Sequence, residues 1–358
     1  MTNEHDTSET EDEARVSGLI DVAQLTRWMD AQGLAGAGSP IETKFISGGA
    51  SNEIFRIDRG GETFVLRRPP RNVPKGRNQT MMREYRVLSA LRDTDVPHAT
   101  VHAGCDDESV LGCFFYVMDY VDGWTPMGRI DPPFDSDLEA RAEMGFALVD
   151  AIARLANVDW RAVGLEGLGK PEGFLDRQVD RWLAHLSSFQ FREIPGLDDA
   201  AQWLREHTPR EFRSGIIHGD YQFANVMFAH GAPARLVAIV DWEMATVGDP
   251  LLDLAWVLMT WPDPEERKEG GGYFDYTGMP TRAELIEYYA ERTNLPTHEL
   301  DYYVVLARFK MACVLEGGYA RYVQGGADNP KMESFGQVVL DMARRAAELA
   351  RESALPTR

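Results

Sequence analysis

The sequence has few basic residues and few cysteines, and it lacks any long apolar run. Only 37 of its 358 residues are Lys or Arg, against 57 Asp or Glu, so the formal net charge is −20. Because nucleic acids and anionic lipid surfaces bind basic protein surfaces, this charge argues against both as partners. Three cysteines form no disulfide framework and favour a reducing, cytoplasmic location. No apolar run approaches the roughly 18–20 residues that cross a bilayer, so we expect no membrane span.

The first 14 residues differ in composition from the rest of the chain. They include six acidic residues and neither Lys nor Arg. Such a composition is typical of disordered segments, so residues 1–14 are predicted to form an acidic disordered tail rather than a signal peptide. The remaining length exceeds the roughly 250–300 residues at which a single core stops growing. We therefore expect two packed lobes, over residues 15–122 and 123–358.

Residues 15–122 show the period-two alternation of β-strands. The predicted strands cover residues 43–47, 53–58, 63–68, 100–104 and 113–120, with a helix near 79–92 between the third and fourth. Pro69 and Pro70 end the third strand, because proline cannot donate to the ladder. This part of the chain is predicted to be a small β-rich lobe.

Beyond residue 123 the pattern becomes mainly helical. Ser136 and Glu139 form a capping-box pattern ahead of an apolar stripe, and later helices are predicted near 282–293, 301–322 and 331–352. The Pro- and Gly-rich stretch 262–280 is long for a connector and is a candidate lid, whose Tyr273, Phe274 and Tyr276 would cover a partly apolar acceptor. The fold class is therefore predicted to be α+β.

The residues with the clearest chemical pattern lie between positions 217 and 253. His218-Gly-Asp220 is followed by Asn225, then by Asp241-Trp-Glu, and then by Gly-Asp-Pro-Leu-Leu-Asp253. This order resembles the catalytic core of kinases, and its His-Gly-Asp and Asp-Trp-Glu segments resemble the aminoglycoside phosphotransferase family over roughly residues 41–350. The resemblance implies a two-lobed protein-kinase-like fold. It also implies phosphoryl transfer from ATP, with Mg²⁺, to a hydroxyl of a small molecule.

The resemblance gives each of these residues an expected role. Asp220 is the expected catalytic base that accepts the proton of the acceptor hydroxyl, while Asn225 and Asp241 are the expected metal ligands. Carboxylate and amide oxygens are ligands that Mg²⁺ prefers. His218 is expected to support the loop, and Asp253 to brace it.

A loop of small residues joins the first two predicted strands and is expected to cover the nucleotide phosphates. Small side chains let backbone N–H groups approach phosphate oxygens closely. A plain hairpin turn is the alternative. The loop residues are Ser47, Gly48, Gly49, Ala50, Ser51 and Asn52.

The third strand carries an arginine where the family usually has a lysine. Strand alternation places Val65 and Arg67 on one face and Arg68 on the other. This matches the small-x-Lys arrangement of kinases, so the resemblance implies that Arg67 is the phosphate-binding cation. Glu84 on the following helix is its expected ion-pair partner. Met118 and Tyr120, at the end of the fifth strand, belong to a segment that resembles the interlobe hinge of kinases, whose backbone is expected to bind the adenine edge. ATP is the expected donor, and GTP stays open.

The sequence leaves the chemical identity of the acceptor open. The segments FVLRRPP and GDPLLDLA are similar to those of the kinase-like domain fused to some acyl-CoA dehydrogenases. That similarity implies a hydroxylated acyl metabolite as readily as an aminoglycoside. The alternatives are a protein kinase and a nucleotide-binding regulator without strong catalysis.

Overall fold

The computed structural model describes residues 16, 18–48, 52–71, 73, 76–267, 274–326 and 331–357. The predicted tail, residues 1–14, lies outside the described residues. The chain divides into two compact units. Unit 1 runs to Trp124 and also contains Val163–Leu165 and Val237–Ala245. Unit 2 consists of Thr125–Ala162, Glu166–Leu236 and the chain from Thr246 onward.

Unit 1 is built on an antiparallel sheet of five strands in the order β1-β2-β3-β5-β4. The strands are β1 (Ile41–Gly48), β2 (Glu53–Arg59), β3 (Glu62–Arg68), β4 (Val101–Cys105) and β5 (Phe115–Asp119). The helices are α1 (Val22–Ala31), α2 (Arg77–Leu91) and α3 (Glu108–Leu111). All five predicted strands are present. The short helix α3 was not predicted, and Asp107 caps it by accepting a 2.9 Å bond from Ser109 N.

The sheet of unit 1 is buried because α1 packs against it. Phe55 and Ile57 of β2 belong to one apolar cluster with Leu25 and Met29 of α1. β3 is buried over its last five residues, which include Arg67. A cation at such a position needs a partner inside the protein, since burying a charge without one is costly.

Unit 2 is mainly helical. Its helices are α4 (Leu138–Asn157), α5 (Gln178–Ser187), α6 (Leu197–Glu206), α7 (Leu251–Leu258), α8 (Arg282–Thr293), α9 (Leu300–Val323) and α10 (Lys331–Glu352). The capping residue of α4 is Asp137, not the predicted Ser136. The Asp137 carboxylate accepts from Glu139 N at 3.0 Å and Ala140 N at 3.1 Å, so it satisfies two free N–H groups at once.

Short strands complete the structure and position one loop of unit 2. β6 (Gly215–Ile217) pairs antiparallel with β9 (Thr246–Gly248), while β7 (Val226–Phe228) and β8 (Leu236–Ile239) lie between them in the sequence. The loop between β6 and β7 is fixed to α4, because the buried Tyr221 hydroxyl donates a 2.8 Å bond to Leu148 O. None of the helices in the described ranges is long and apolar enough to cross a membrane.

Candidate active site

The loop that follows β6 is held by one buried carboxylate. Asp253, in the first turn of α7, accepts from His218 N at 2.6 Å and from Gly219 N at 2.9 Å. Gly219 has a φ of +87°, in the left-handed region that favours glycine. Burial raises the pKa of Asp253, against the attraction of His218 and its backbone hydrogen bonds. These contacts present the next residue, Asp220, in a defined orientation.

The Asp220 carboxylate accepts hydrogen bonds from three side chains. Its Oδ1 atom accepts from Gln222 Nε2 and from Trp256 Nε1, both at 3.0 Å. Its Oδ2 atom accepts from Asn225 Nδ2 at 2.9 Å. Asn225 Nδ2 also donates to the Asp220 carbonyl at 2.7 Å. The structure thus brings Asp220 and Asn225 together, and the Nδ2 contacts leave Asn225 Oδ1 as the amide atom able to bind a metal.

Trp256 and Gln222 were not predicted as site residues. Trp256 lies on α7, three residues after Asp253, within a run that reads as apolar core. Lys310 of α9 was missed as well, and its ammonium donates to Gly219 O. A lone lysine inside a largely buried helix is a sequence signal that could have identified it, because lysine is rarely buried without a partner.

In unit 1, Arg67 lies between two carboxylates. Its Nη2 atom is 3.2 Å from Glu84 Oε1 and 2.9 Å from Asp241 Oδ1. Burial by itself lowers the pKa of the Arg67 guanidinium. The attraction of nearby groups, of which Glu84 is the strongest, outweighs burial and raises this pKa overall. The structure therefore groups three of the predicted site residues, and the Arg67–Glu84 ion pair is present.

Arg67 also has a buried donor available for a ligand. Its Nε atom is buried and makes no hydrogen bond within the described part of the chain. A buried N–H without an acceptor is costly, and a phosphate oxygen is an acceptor of the right chemistry. Burial raises the pKa of Glu84, and Arg67 opposes the rise.

Asp241 has a backbone conformation that is uncommon for an aspartate. Its φ of 64° and ψ of 60° lie in the left-handed region. Such a conformation persists where neighbouring contacts impose it. Arg67 binds its side chain, and the next amide, Trp242 N, donates to Glu84 Oε1 at 3.2 Å. The contacts aim the Asp241 carboxylate at Arg67.

The residues of the predicted phosphate-covering loop are only partly described. Ser47 is exposed, Gly48 ends β1, and Asn52 is buried with its Oδ1 atom making no hydrogen bond to any described residue. The predictions for Gly49, Ala50 and Ser51 lie outside the described residues.

The two residues predicted to bind the nucleotide base through their backbone lie at and just beyond the end of β5. Met118 pairs with Val65 of β3 and with Val101 of β4. Tyr120 follows the strand, is 40% exposed, and has Arg56 Cζ at 5.0 Å from its ring centroid. Within the described residues, no side-chain contact joins Met118 or Tyr120 to Arg67, Glu84 or Asp241.

Asp249 caps α7 from inside the protein. It accepts from Leu251 N at 3.0 Å and from the Tyr303 hydroxyl at 2.6 Å. Burial raises the pKa of Asp249 to about 6, while the two hydrogen bonds act in the opposite direction. Within the described residues, these contacts give Asp249 a structural role.

The second half of the candidate lid packs onto unit 2. Phe274 is buried and stacks on Phe223 with 4.2 Å between ring centroids. Tyr276 meets Trp261 edge to face at 5.0 Å. Tyr273 lies outside the described residues. Phe274 thus forms part of an aromatic cluster directly beside the loop that carries Asp220 and Asn225.

Asn225 of unit 2 and Asp241 of unit 1 were predicted to be metal ligands. Within the described ranges, no group of three or more His, Cys, Asp or Glu side chains is arranged to hold a metal. Mg²⁺ is usually bound by one or two carboxylates together with water and substrate phosphates, so the amide of Asn225 and the carboxylate of Asp241 are each chemically compatible with it.

Comparison with known proteins identifies the family of this chain. Residues 42–288 match the phosphotransferase enzyme family. The chain is 32% identical over 321 residues to acyl-CoA dehydrogenase family member 11 of Gallus gallus, covering 87% of this chain and 40% of that protein. It is 30% identical over 327 residues to family member 10 of Mus musculus, covering 89% of this chain and 30% of that one. The chain thus spans less than half the length of these relatives.

Solved structures show the same fold. A suggested aminoglycoside phosphotransferase from Ralstonia eutropha JMP134 superposes with a TM-score of 0.81 at 31% identity, covering 93% of this chain and 98% of that one. A mutant of aminoglycoside phosphotransferase APH(4)-Ia, solved with AMP-PNP and hygromycin B, gives 0.59 at 17% identity, covering 88% and 95%. The predicted α+β, kinase-like fold is confirmed. With its match over residues 42–288, the chain belongs to the phosphotransferase enzyme family.

Proposed function

We propose that this protein transfers the γ-phosphoryl group of ATP to a hydroxyl group of a small molecule, with Asp220 as the catalytic base. The observation that carries the proposal is the Asp220 carboxylate, which three side-chain N–H groups hold at 2.9–3.0 Å. Phosphoryl transfer asks a protein mainly for positioning and charge neutralisation. A carboxylate held in one orientation supplies the positioning of the acceptor hydroxyl.

Asp220 acts on the proton of the acceptor. The hydroxyl donates a hydrogen bond to the carboxylate and loses its proton to it as the oxygen bonds to the γ-phosphorus, while the bond from that phosphorus to the bridging oxygen breaks and ADP leaves. Gln222, Trp256 and Asn225 keep the carboxylate from turning towards other donors. Lys310 binds the carbonyl of Gly219 and so supports the same loop.

The nucleotide phosphates and their metal ion are assigned to three side chains, those of Arg67, Asn225 and Asp241. The Nε atom of Arg67, which makes no hydrogen bond to the described residues, can donate to a phosphate oxygen, while Glu84 keeps the guanidinium in place. Asn225 and Asp241 would hold Mg²⁺ through their side-chain oxygens. When bound, Mg²⁺ neutralises charge on the phosphate oxygens. The structure with AMP-PNP in the APH(4)-Ia mutant supports nucleotide use in this fold.

The comparisons support two acceptor classes. The structural relative solved with hygromycin B favours an aminoglycoside-like acceptor. The acyl-CoA dehydrogenase relatives, at about 30% identity, favour a hydroxylated acyl metabolite. A screen of ATP consumption over aminoglycosides, hydroxyacyl thioesters and amino alcohols tests the function. Phosphorylation of one class supports it, and ATP binding without acceptor-dependent consumption of ATP favours the nucleotide-binding regulator instead.

A protein kinase is the remaining alternative. The His-Gly-Asp and Asp-Trp-Glu segments and the match to the phosphotransferase enzyme family weigh against it. Incubation with radiolabelled ATP and a protein substrate mixture provides the test. Labelled protein in place of a labelled small molecule would favour the protein kinase.

A further inference from the structure

Lys310 brings a positive charge into the immediate surroundings of Asp220. Its ammonium donates to the carbonyl of Gly219, the residue before Asp220. Its Nζ atom lies 4.3 Å from the centroid of the Trp256 ring, whose Nε1 atom donates to Asp220. The Lys310 ammonium therefore contacts both the residue before the proposed base and the indole ring that hydrogen-bonds to that base.

Two acids and a second cation act on the Lys310 ammonium. The acids that attract the ammonium are Asp220 and Asp253, and Asp253 already accepts two backbone hydrogen bonds. A second cation, Arg181 of α5, repels Lys310 and lies over the same Trp182 ring that Lys310 approaches at 5.4 Å.

The ammonium has hydrogen-bonding capacity left for a ligand. A lysine has three N–H donors, and the described contacts of Lys310 use one of them for Gly219 O. The Trp182 and Trp256 rings offer π faces, which attract a cation but are not full hydrogen-bond acceptors. Burial lowers the pKa of Lys310 to about 8, against the attraction of Asp220 and Asp253, so the group is charged at neutral pH.

We propose that Lys310 determines acceptor specificity: it excludes polycationic acceptors and favours an acceptor that carries an anionic group near the phosphorylated hydroxyl. An acceptor ammonium at that position would meet a like charge, whereas a carboxylate or phosphate would receive a charge-assisted hydrogen bond. This inference rests on the proposed function and narrows its two acceptor classes, since aminoglycosides carry several ammonium groups.

The test compares hydroxy carboxylates, hydroxyalkyl phosphates and amino alcohols of equal chain length, with ATP consumption as the readout. The wild-type protein should have a kcat/KM at least about tenfold higher for the anionic compounds. Two unit charges about 6 Å apart at an effective dielectric of about 20 would give about 100-fold, and the Asp220 carboxylate reduces this effect. Lys310→Met should remove this preference, mainly by raising the KM of the anions. Lys310→Arg should keep it. Arg344→Met, which removes a cation bound to Glu348 on α10, is the matched control and should change nothing.

The outcomes separate the two proposals. A wild-type preference for amino alcohols, or an unchanged preference in a folded Lys310→Met variant, overturns the role of Lys310 and leaves the phosphotransferase standing. If no compound increases ATP consumption, the proposed function is contradicted. Lys310 is then tested by calorimetric titration of the ATP-loaded protein with the same carboxylates and phosphates. Binding that is lost in Lys310→Met supports the anion contact, and no binding overturns it. If Lys310→Met does not fold, the wild-type ratio of kcat/KM between anionic and cationic compounds tests the role of Lys310. A ratio that favours the cationic compounds overturns it.

Discussion

The indole Nε1 atom of Trp256 donates a 3.0 Å hydrogen bond to Oδ1 of Asp220. It is one of two donors on that oxygen, the other being Gln222 Nε2. A hydrogen bond to a charged group contributes about 1.5–3 kcal/mol. If the bond orients the base, its loss should appear in the chemical step and not in nucleotide binding.

Trp256→Phe tests this relationship, because phenylalanine keeps the ring but has no N–H. We expect kcat to fall about 10- to 100-fold, with little change in the KM for ATP. Trp203→Phe is the matched control, since Trp203 stacks on His207 of unit 2 at 4.3 Å. Equal losses in the two variants, or a change confined to the KM for ATP, would contradict an orienting role for Trp256.

Arg67 should affect both stability and nucleotide affinity. Arg67→Ala leaves Glu84, which is 1% exposed, without its cation, so we expect the free energy of unfolding to fall by about 3–5 kcal/mol. Nucleotide affinity should fall as well. Arg67→Lys keeps the charge and should recover most of the stability. Urea unfolding and equilibrium nucleotide binding measure the two effects. Unchanged nucleotide affinity in a folded Arg67→Ala variant would remove Arg67 from the phosphate site.

Asp249 should make the stability of unit 2 depend on pH. Its pKa is raised to about 6 in the folded protein from 3.8, so the folded state binds more protons between pH 4 and 6. Its contribution to stability is therefore largest below about pH 4 and is lost as pH rises through 6. Asn has a similar shape and does not titrate.

As pH rises from 4 to 7, the free energy of unfolding of Asp249→Asn should increase by about 2–3 kcal/mol relative to that of the wild type. Urea unfolding at several pH values measures the difference. Tyr303→Phe is a companion variant, because it removes the 2.6 Å bond to the carboxylate and keeps the ring. A constant difference between wild type and Asp249→Asn over this pH range would show that Asp249 stays charged in the folded protein.

The features that sequence predicted well depend on local patterns. Strand alternation placed Arg67 on the same face of β3 as Val65, and the structure pairs it with Glu84 at 3.2 Å. The five-residue spacing of Asp220 and Asn225 is short enough for one loop to join them at 2.9 Å. The exact cap of α4 was mispredicted, since Ser136 and Asp137 are both good capping residues and sequence alone does not rank their geometry.

The features that sequence did not predict depend on packing between distant segments. Trp256 reaches Asp220 from 36 residues away, and Lys310 reaches Gly219 from 91 residues away. Helical periodicity says which residues face inward, but not which neighbour they meet. The left-handed conformation of Asp241 has the same origin, because Arg67 and Glu84 impose it from other elements.

The most direct test of the account is acceptor-dependent turnover in Asp220→Asn, measured beside nucleotide binding by the same protein. Asparagine keeps one oxygen for the hydrogen bonds of Gln222 and Trp256 but is not a base. The account predicts that kcat falls by about 100- to 10,000-fold while the nucleotide Kd stays within about a factor of three. Full turnover by Asp220→Asn would contradict the assignment of Asp220 as the base.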